Sequence, residues 1–320
     1  MKLKKYIAAF ALVAIIIGGI AGVILLENRN KSNHQKIITT NFVAYDFARA
    51  IIGDDSNIRM LLKPATESHG FEPTPQDIID ITNADYFIYI GGESDEWVAD
   101  LLRDNNIDEK KTLRLMDFVE LKEEETKEGM EAEEEGEGKE DEEEAEYDEH
   151  IWTSPRNAVS IIEAMRDRFI ARDATKINEY TDNARKYTER IMQSDQKISD
   201  IVARSSRKEL IFADRFPFRY FVDEYGLDYY AAFPGCAEQT EASSKTIAFL
   251  VDKVKSDRIP VVLKIELTSD NLAQTISAET GAKILTLNAA HNITQEDFDA
   301  KKTYADILED NIKVLEEALN

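Results

Sequence analysis

From Lys36 onward the chain alternates short apolar runs with amphipathic stretches, and two periods can be read in turn. Lys36-Ile37-Ile38-Thr39-Thr40 reads as a strand, Val43 to Ile52 as an amphipathic helix ending near Gly53-Asp54, and Asn57 to Leu62 as a strand again. Pro75 to Thr82 suits a helix, followed by the apolar strand Tyr86 to Ile90, the turn Gly91-Gly92, a helix from Trp97 to Leu102 and a short strand from Thr112 to Met116. Pro155 fits a first helical position, and Ile161, Ile162, Met165 and Phe169 recur at helical spacing behind it. The stretch from Ala174 to Arg204 holds no Gly or Pro. As one helix it would reach about 45 Å, longer than a small domain is wide, and so would run between two lobes. A second alternation follows: strands at 209–213, 228–232, 261–265 and 283–287, and helices at 218–225, 243–255, 271–280 and 304–319.

Strands alternating with helices predict parallel sheets covered on both faces. The expected fold is therefore α/β: two lobes, each a mostly parallel sheet flanked by helices, joined by one long linking helix. The first lobe is placed at residues 36–154, the linking helical region at 155–206 and the second lobe at 207–320. The halves share an architecture without repeating a sequence.

The N-terminus has a different pattern. Lys2, Lys4 and Lys5 precede an uncharged, mostly apolar stretch from Ile7 to Leu26, which as a helix spans a bilayer core of about 30 Å. The leading lysines place the N-terminus in the cytoplasm and the body outside. The run is longer than the usual apolar core of a signal peptide, and its small-residue cleavage signal is poor. Residues 1–35 are thus read as a transmembrane anchor and polar tether on an extracytoplasmic body, with a cleaved signal and secreted body as the competing reading.

Charge alters the picture in one place. Between Glu123 and Glu149 stand 17 acidic residues and two lysines, −15 of the chain's formal −24. Like charges at this density repel and offer little to bury, so 123–149 is expected to be a disordered acidic insert. The overall sign disfavours nucleic acid as a partner, because phosphates would be repelled. The lone cysteine, Cys236, excludes an internal disulfide and a multi-cysteine zinc site, and reads as a packed thiol.

Four histidines are present, and three lie in polar loops far apart in sequence. They are His69 in Thr66-Glu67-Ser68-His69-Gly70-Phe71-Glu72-Pro73, His150 in Asp148-Glu149-His150-Ile151-Trp152, and His291 in Asn288-Ala289-Ala290-His291-Asn292. Read alone, His69 is a loop histidine, although Gly70 and Pro73 restrict its backbone. His150 could equally cap or pack before the helix that Pro155 opens, with Trp152 pinning the loop. His34 falls in the tether.

The segments Thr66 to Asp77, Ala84 to Gly92 and Glu149 to Ala158 resemble, in order, the ligand motifs and intervening strand of the zinc- and manganese-type substrate-binding proteins of ABC importers. Asp214 to Leu227 and Phe233-Pro234-Gly235-Cys236 are similar to that family's second lobe, and the resemblance covers about residues 36–319. It implies an extracytoplasmic solute-binding protein that is no enzyme, captures Zn(II), or alternatively Mn(II), between two lobes, and delivers it to a membrane permease driven by an ATPase. His69 and His150 fall on the family's first two ligands. The third position falls on Arg215, which stays protonated and cannot coordinate, so the neighbouring Asp214 is the expected substitute. The fourth falls on Asn288, and His291, three residues on, is the better donor. Three imidazoles and a carboxylate suit Zn(II), whereas more carboxylates would favour Mn(II). Glu266, ending an apolar strand, is expected either to orient an imidazole or to form a structural salt bridge. A surface adhesin and an extracytoplasmic metallohydrolase are the other classes weighed. The second would need a general base and an open metal position, and no His-Glu-x-x-His helix is present.

Overall fold

The computed structural model describes residues 35–66, 71–131, 146–237 and 241–320. The expected anchor therefore lies outside the described residues. Among those described, no helix is long and apolar enough to cross a membrane.

The first lobe runs β1 (Ile37–Thr39), α1 (Phe42–Ile52), β2 (Ile58–Met60), α2 (Pro75–Thr82), β3 (Tyr86–Tyr89), α3 (Trp97–Asp104) and β4 (Thr112–Arg114). Asn41 opens α1 by accepting the Ala44 N–H at 3.1 Å, and Thr74 and Asp77 close a reciprocal capping box on α2. Two long helices follow, α4 (Pro155–Arg172) and α5 (Ile177–Arg204). The second lobe comprises β5 (Glu209–Arg215), α6 (Arg219–Tyr225), β6 (Asp228–Phe233), α7 (Ser244–Ser256), β7 (Val261–Lys264), α8 (Asn271–Thr280), β8 (Lys283–Thr286), α9 (Gln295–Asp299) and α10 (Tyr304–Ala318).

Each lobe holds one four-stranded sheet, ordered β2-β1-β3-β4 and β6-β5-β7-β8, and every pairing is parallel. The two orders are equivalent, so the alternation read from sequence yields the same winding twice. Parallel strands covered on both faces are buried, as the uninterrupted Ile37–Thr39 and the Leu210–Phe212 run of β5 are.

The linking helical region consists of two helices, the second lying within the stretch from Ala174 to Arg204 read as one helix. Asp173 leaves helical geometry at φ −133° and ψ 82°, ends α4, and accepts the Thr175 N–H to start the next turn. Helix α4 belongs to the first lobe, where Ile161, Ile162, Met165 and Phe169 are fully buried. Of the two, helix α5 makes the crossing. Its 28 residues span about 42 Å, with Tyr180, Ala184 and Ile191 in the first core and Ile198, Ile201 and Val202 in the second. Helix α10 also enters both cores, through Tyr304, Ala305, Ile307 and Leu308 on one side and Leu315 and Ala318 on the other. Arg190 of α5 ties the pair together, reaching Asp306 at 2.5 Å and Glu309 at 2.7 Å.

The acidic run also departs from expectation where it is described. Residues 123–131 do not extend into solvent as a disordered insert. Glu123 bridges Tyr147 in antiparallel fashion, and the Glu131 N–H donates to Ala232 O at 2.9 Å, beside β6. Met130 packs on the second core, and Lys127 stacks 4.2 Å over the Tyr229 ring. Charge density alone hid these anchors, since apolar and cationic side chains every few residues suffice to dock a strap. Residues 132–145 lie outside the described residues.

Two consequences can be measured. Asp46 is fully buried and accepts from Arg49 Nε at 2.7 Å and Tyr304 N at 2.9 Å, and also from the Tyr187 hydroxyl. Asp46→Ala removes one acceptor from the half-buried Arg49 guanidinium, which keeps Lys301 O and Lys302 O, and leaves the buried Tyr304 N–H without its acceptor, so it is predicted to destabilise by about 1–3 kcal/mol. An unchanged urea midpoint would refute the tie. The second concerns Glu224, which accepts the Ser154 hydroxyl. Its pKa is pushed up to about 7, first by burial and then by Asp195, against the pull of Ser154 and Arg156. The folded state thus holds this proton above the ordinary glutamate range, and the associated stability is lost as pH rises through about 7. Glu224→Gln is predicted to raise the urea midpoint at pH 8 and leave it nearly unchanged at pH 5; an equal effect at both would contradict the shift.

Candidate metal centre

In a doubly wound parallel sheet, ligands bind beyond the carboxyl ends of the strands where the winding reverses. Here those points fall between β1 and β3 and between β5 and β7. The first delivers Thr40 and Asp95. Asp95 is buried and accepts the N–H groups of Ile90 at 2.7 Å and Gly91 at 3.1 Å. Burial nevertheless pushes its carboxyl up to about 6. The second delivers Asp214, in a register shift at the end of β5 that re-aims side chains, and Glu266 just after β7.

His150 and His291 meet here. Their ring centroids are 4.6 Å apart at an interplanar angle of 75°. His150 comes from the loop before α4 and His291 from the loop after β8, so one imidazole stands on each lobe. Asp148 Oδ1 accepts both the His150 main-chain N–H at 2.7 Å and its Nδ1 at 3.0 Å. An oxygen already accepting from an amide assigns the ring proton to Nδ1 and leaves the Nε2 lone pair as the donor. Burial holds the His150 pKa well below its ordinary value, helped by His291 and Arg215, so the ring is neutral as coordination requires. Glu266 does for His291 what Asp148 does for His150. Its Oε1 accepts the His291 N–H at 2.8 Å and lies 3.4 Å from Nδ1, while Oε2 accepts the Ala289 N–H at 2.7 Å. Burial opposes the Glu266 charge, yet His291 and the Ala289 N–H outweigh it and hold the carboxyl below its ordinary range. Of the two roles open to Glu266 in sequence, it takes that of orienting an imidazole.

Trp152 fastens the two loops together. Its indole N–H donates to Ala289 O at 2.7 Å, and its ring meets His291 edge-on at 5.7 Å. Asn288, on the expected fourth-ligand register, shapes the His291 loop instead, accepting the Ala290 N–H at 2.8 Å. Asp214, the expected carboxylate ligand, is committed to its own lobe. It accepts from Arg215 N at 2.9 Å, Ile265 N at 3.1 Å and Thr268 Oγ1 at 2.5 Å, which fixes the ends of β5 and β7 together. His69 lies outside the described residues. On either side of that segment, Thr66 O accepts from Asn292 Nδ2 at 2.7 Å, and Phe71 lines a cavity with Thr40, Asp95, Glu149, Trp152 and His291. The cavity volume is about 20 Å³, room for one water-sized occupant.

Three acidic groups, two of them buried, were not singled out from the sequence. Asp148, two residues before His150, gave only its proximity as a signal, and its carboxyl is pushed up to about 7 by burial. Glu149 accepts the Ser94 N–H at 2.9 Å and its hydroxyl at 2.6 Å. Burial, with Asp95 and Asp148 adding, raises it to about 8. A side chain on Gly92 would meet Glu149 Cβ at 2.1 Å, so the turn needs glycine there. Glu124 accepts the N–H groups of Gly235 at 2.7 Å and Cys236 at 3.2 Å.

Two parallel-sheet lobes sharing a spanning helix pair, with an oriented imidazole from each meeting at the switch points, define a two-lobed α/β protein of the solute-binding kind. The chain belongs to the ZnuA family, described as the periplasmic component A of the zinc-uptake complex, whose model matches residues 37–318. It is 28% identical over 311 residues to the zinc-binding lipoprotein AdcA of Streptococcus pneumoniae strain R6, covering 95% of this chain and 60% of that protein. It thus spans less than two thirds of that relative's length. The high-affinity zinc uptake system protein ZnuA of Bacillus subtilis is 28% identical over 291 residues, 91% of this chain and 89% of that one. The Zn(II)-bound ZnuA-like domain of Streptococcus pneumoniae AdcA superposes with a TM-score of 0.73 at 28% identity, over 90% of this chain and 99% of that domain.

Because Asp148 fixes the tautomer and aim of His150, Asp148→Ala is predicted to weaken metal binding about 10–100-fold while the stoichiometry stays the same. Titration against a competing chelator measures it, and an affinity equal to wild type would remove Asp148 from this role.

Proposed function

We propose that this protein is the extracytoplasmic capture component of a metal importer, binding one Zn(II) between its lobes and passing it to a membrane permease coupled to an ATPase. One observation carries the reading: His150 and His291 converge from opposite lobes, each with Nδ1 beside a carboxylate, so that both Nε2 atoms serve a shared cation. His69 joins them on the strength of its motif. Asp214 supports the second-lobe ends of the site in this reading, because its oxygens already serve three donors.

The surrounding charge agrees. Asp95, Asp148 and Glu149 all hold protons more tightly than ordinary carboxyls, with burial the leading cause in each. A divalent ion supplies the missing positive charge and becomes the largest local charge in the site. Imidazole donors favour Zn(II) over Mn(II), whose sites are richer in carboxylate and water. The zinc named for the relatives supports the same choice. An extracytoplasmic position follows from the importer role and from the lysine-flanked apolar stretch at Ile7–Leu26.

The test is metal content of the purified full chain beside His150→Ala and His291→Ala. Wild type is expected to bind one zinc per chain, and each variant to lose it at substoichiometric free metal. Full loading of both variants under chelator competition would sink the site, and preferential manganese loading of wild type would replace the metal but keep the role.

A further inference from the structure

Arg215 stands at the end of β5 as a buried permanent cation and can donate no lone pair. One strand over, at the end of β6, the chain turns through Phe233-Pro234-Gly235-Cys236 directly against the first lobe. A side chain on Gly235 would meet His150 Cε1 at 3.1 Å, so glycine is what allows the turn to come this close. Glu124, reaching from the strap at the base of the acidic run, holds the Gly235 and Cys236 N–H groups on a single carboxylate oxygen. The result places three donor-type side chains together: among the described residues, Glu149, His150 and Cys236 have ligand atoms all within 4.8 Å of one another, and all three are buried.

We propose that Cys236 is a metal-coordinating thiol, and that Glu149, His150 and Cys236 hold the transported ion jointly on the His150 side of the cleft. The proposal rests on reading the cleft as a metal site and adds the second-lobe donor that Arg215 cannot supply. Ligand atoms around a tetrahedral zinc lie about 3.5 Å apart, given bonds of about 2.0 Å to nitrogen and oxygen and about 2.3 Å to sulfur. The trio needs to close by about 1 Å, within the reach of one Glu or Cys rotamer adjustment. On binding, a Zn–S bond forms as the S–H bond breaks, and that proton leaves to buffer together with any proton held by the Glu149 carboxyl. Thiolate and one carboxylate then neutralise the dication, which matters with the Arg215 guanidinium close by. Burial first, and the nearby acidic groups after it, hold the thiol protonated while no cation is present; a bound dication reverses that balance. Sulfur also sets specificity, because soft thiolate favours Zn(II) over hard-ligand ions such as Mn(II), Ca(II) and Mg(II).

Cys236 is the chain's only cysteine, so any sulfur-to-metal signal belongs to it. The experiment loads the full chain with Co(II) and records the near-ultraviolet thiolate-to-cobalt charge-transfer band together with the visible d–d bands. Wild type is expected to show both. Cys236→Ser is expected to keep the d–d bands, lose the charge-transfer band, and lose more zinc affinity than the about 10–100-fold typical of an outer hydrogen-bond partner. Visible d–d bands in wild type with no charge-transfer band would overturn Cys236 as a ligand while leaving the histidine site intact. No cobalt or zinc binding at all would overturn both readings. The wild-type spectrum alone decides the matter if the variant fails to fold.

Discussion

Everything in this molecule is built around two helices that neither lobe owns. Helices α5 and α10 each bury one end in the first core and the other in the second. Arg190 binds them to each other through Asp306 and Glu309, and Asp46 binds the pair to α1 through Tyr187 and Tyr304. Separating the lobes with α10 on the second would expose side chains such as Tyr304, Ile307 and Leu308. At about 1.5–3 kcal/mol for each large apolar side chain returned to water, the cost quickly exceeds what one ion could offset. The relative position of the two switch points is therefore fixed by the cores, and the cleft is assembled before any ligand arrives.

A preassembled cleft imposes an electrostatic cost on the metal-free protein. Asp95, Asp148, Glu149 and Glu266 are drawn into one low-dielectric region, and only Glu266, beside His291, keeps its carboxyl below the ordinary range. His150 is held neutral in the same region. Hydrogen bonds from main-chain N–H groups hold the acids in place without neutralising them: Ile90 and Gly91 on Asp95, Ser94 on Glu149, His150 on Asp148. The arrangement has donors fixed in direction and a charge deficit at their centre, which is the condition under which a divalent cation gains most from entering.

The period of the apolar pattern made the fold readable, because strands buried on both faces and helices with one apolar stripe leave different signatures. The eight strands among the described residues lie within or close to the segments read from sequence. The break at Asp173 falls just before the stretch from Ala174 to Arg204 read as one helix, although its cause, a cap and a short turn, involves no Gly or Pro. Within the site, His150 and His291 could be found as loop histidines in unusual company, and Glu266 as the end of an apolar strand. Asp214 could be placed at the cleft but not assigned its work, because its three hydrogen-bond donors come from residues 215, 265 and 268, and only the fold brings the last two to it. Glu124 was hidden for the opposite reason. Surrounded in sequence by identical carboxylates, nothing marked it as the one that holds the Gly235-Cys236 turn.

Fixed cores leave the contacts between loops as the weakest ties across the cleft. The His291 loop is clasped to the first-lobe segment 63–66 by three hydrogen bonds: Asn292 Nδ2 to Lys63 O at 2.8 Å and to Thr66 O at 2.7 Å, and Ala65 N to Ile293 O at 2.8 Å. At about 0.5–1.5 kcal/mol net for each bond, opening that clasp costs a small fraction of what parting the lobes would. The same loop carries one imidazole, and the segment it clasps leads toward His69. With the Trp152 bond to Ala289 O added, the loop is held by four such bonds, still far less than the apolar contacts that hold the lobes together.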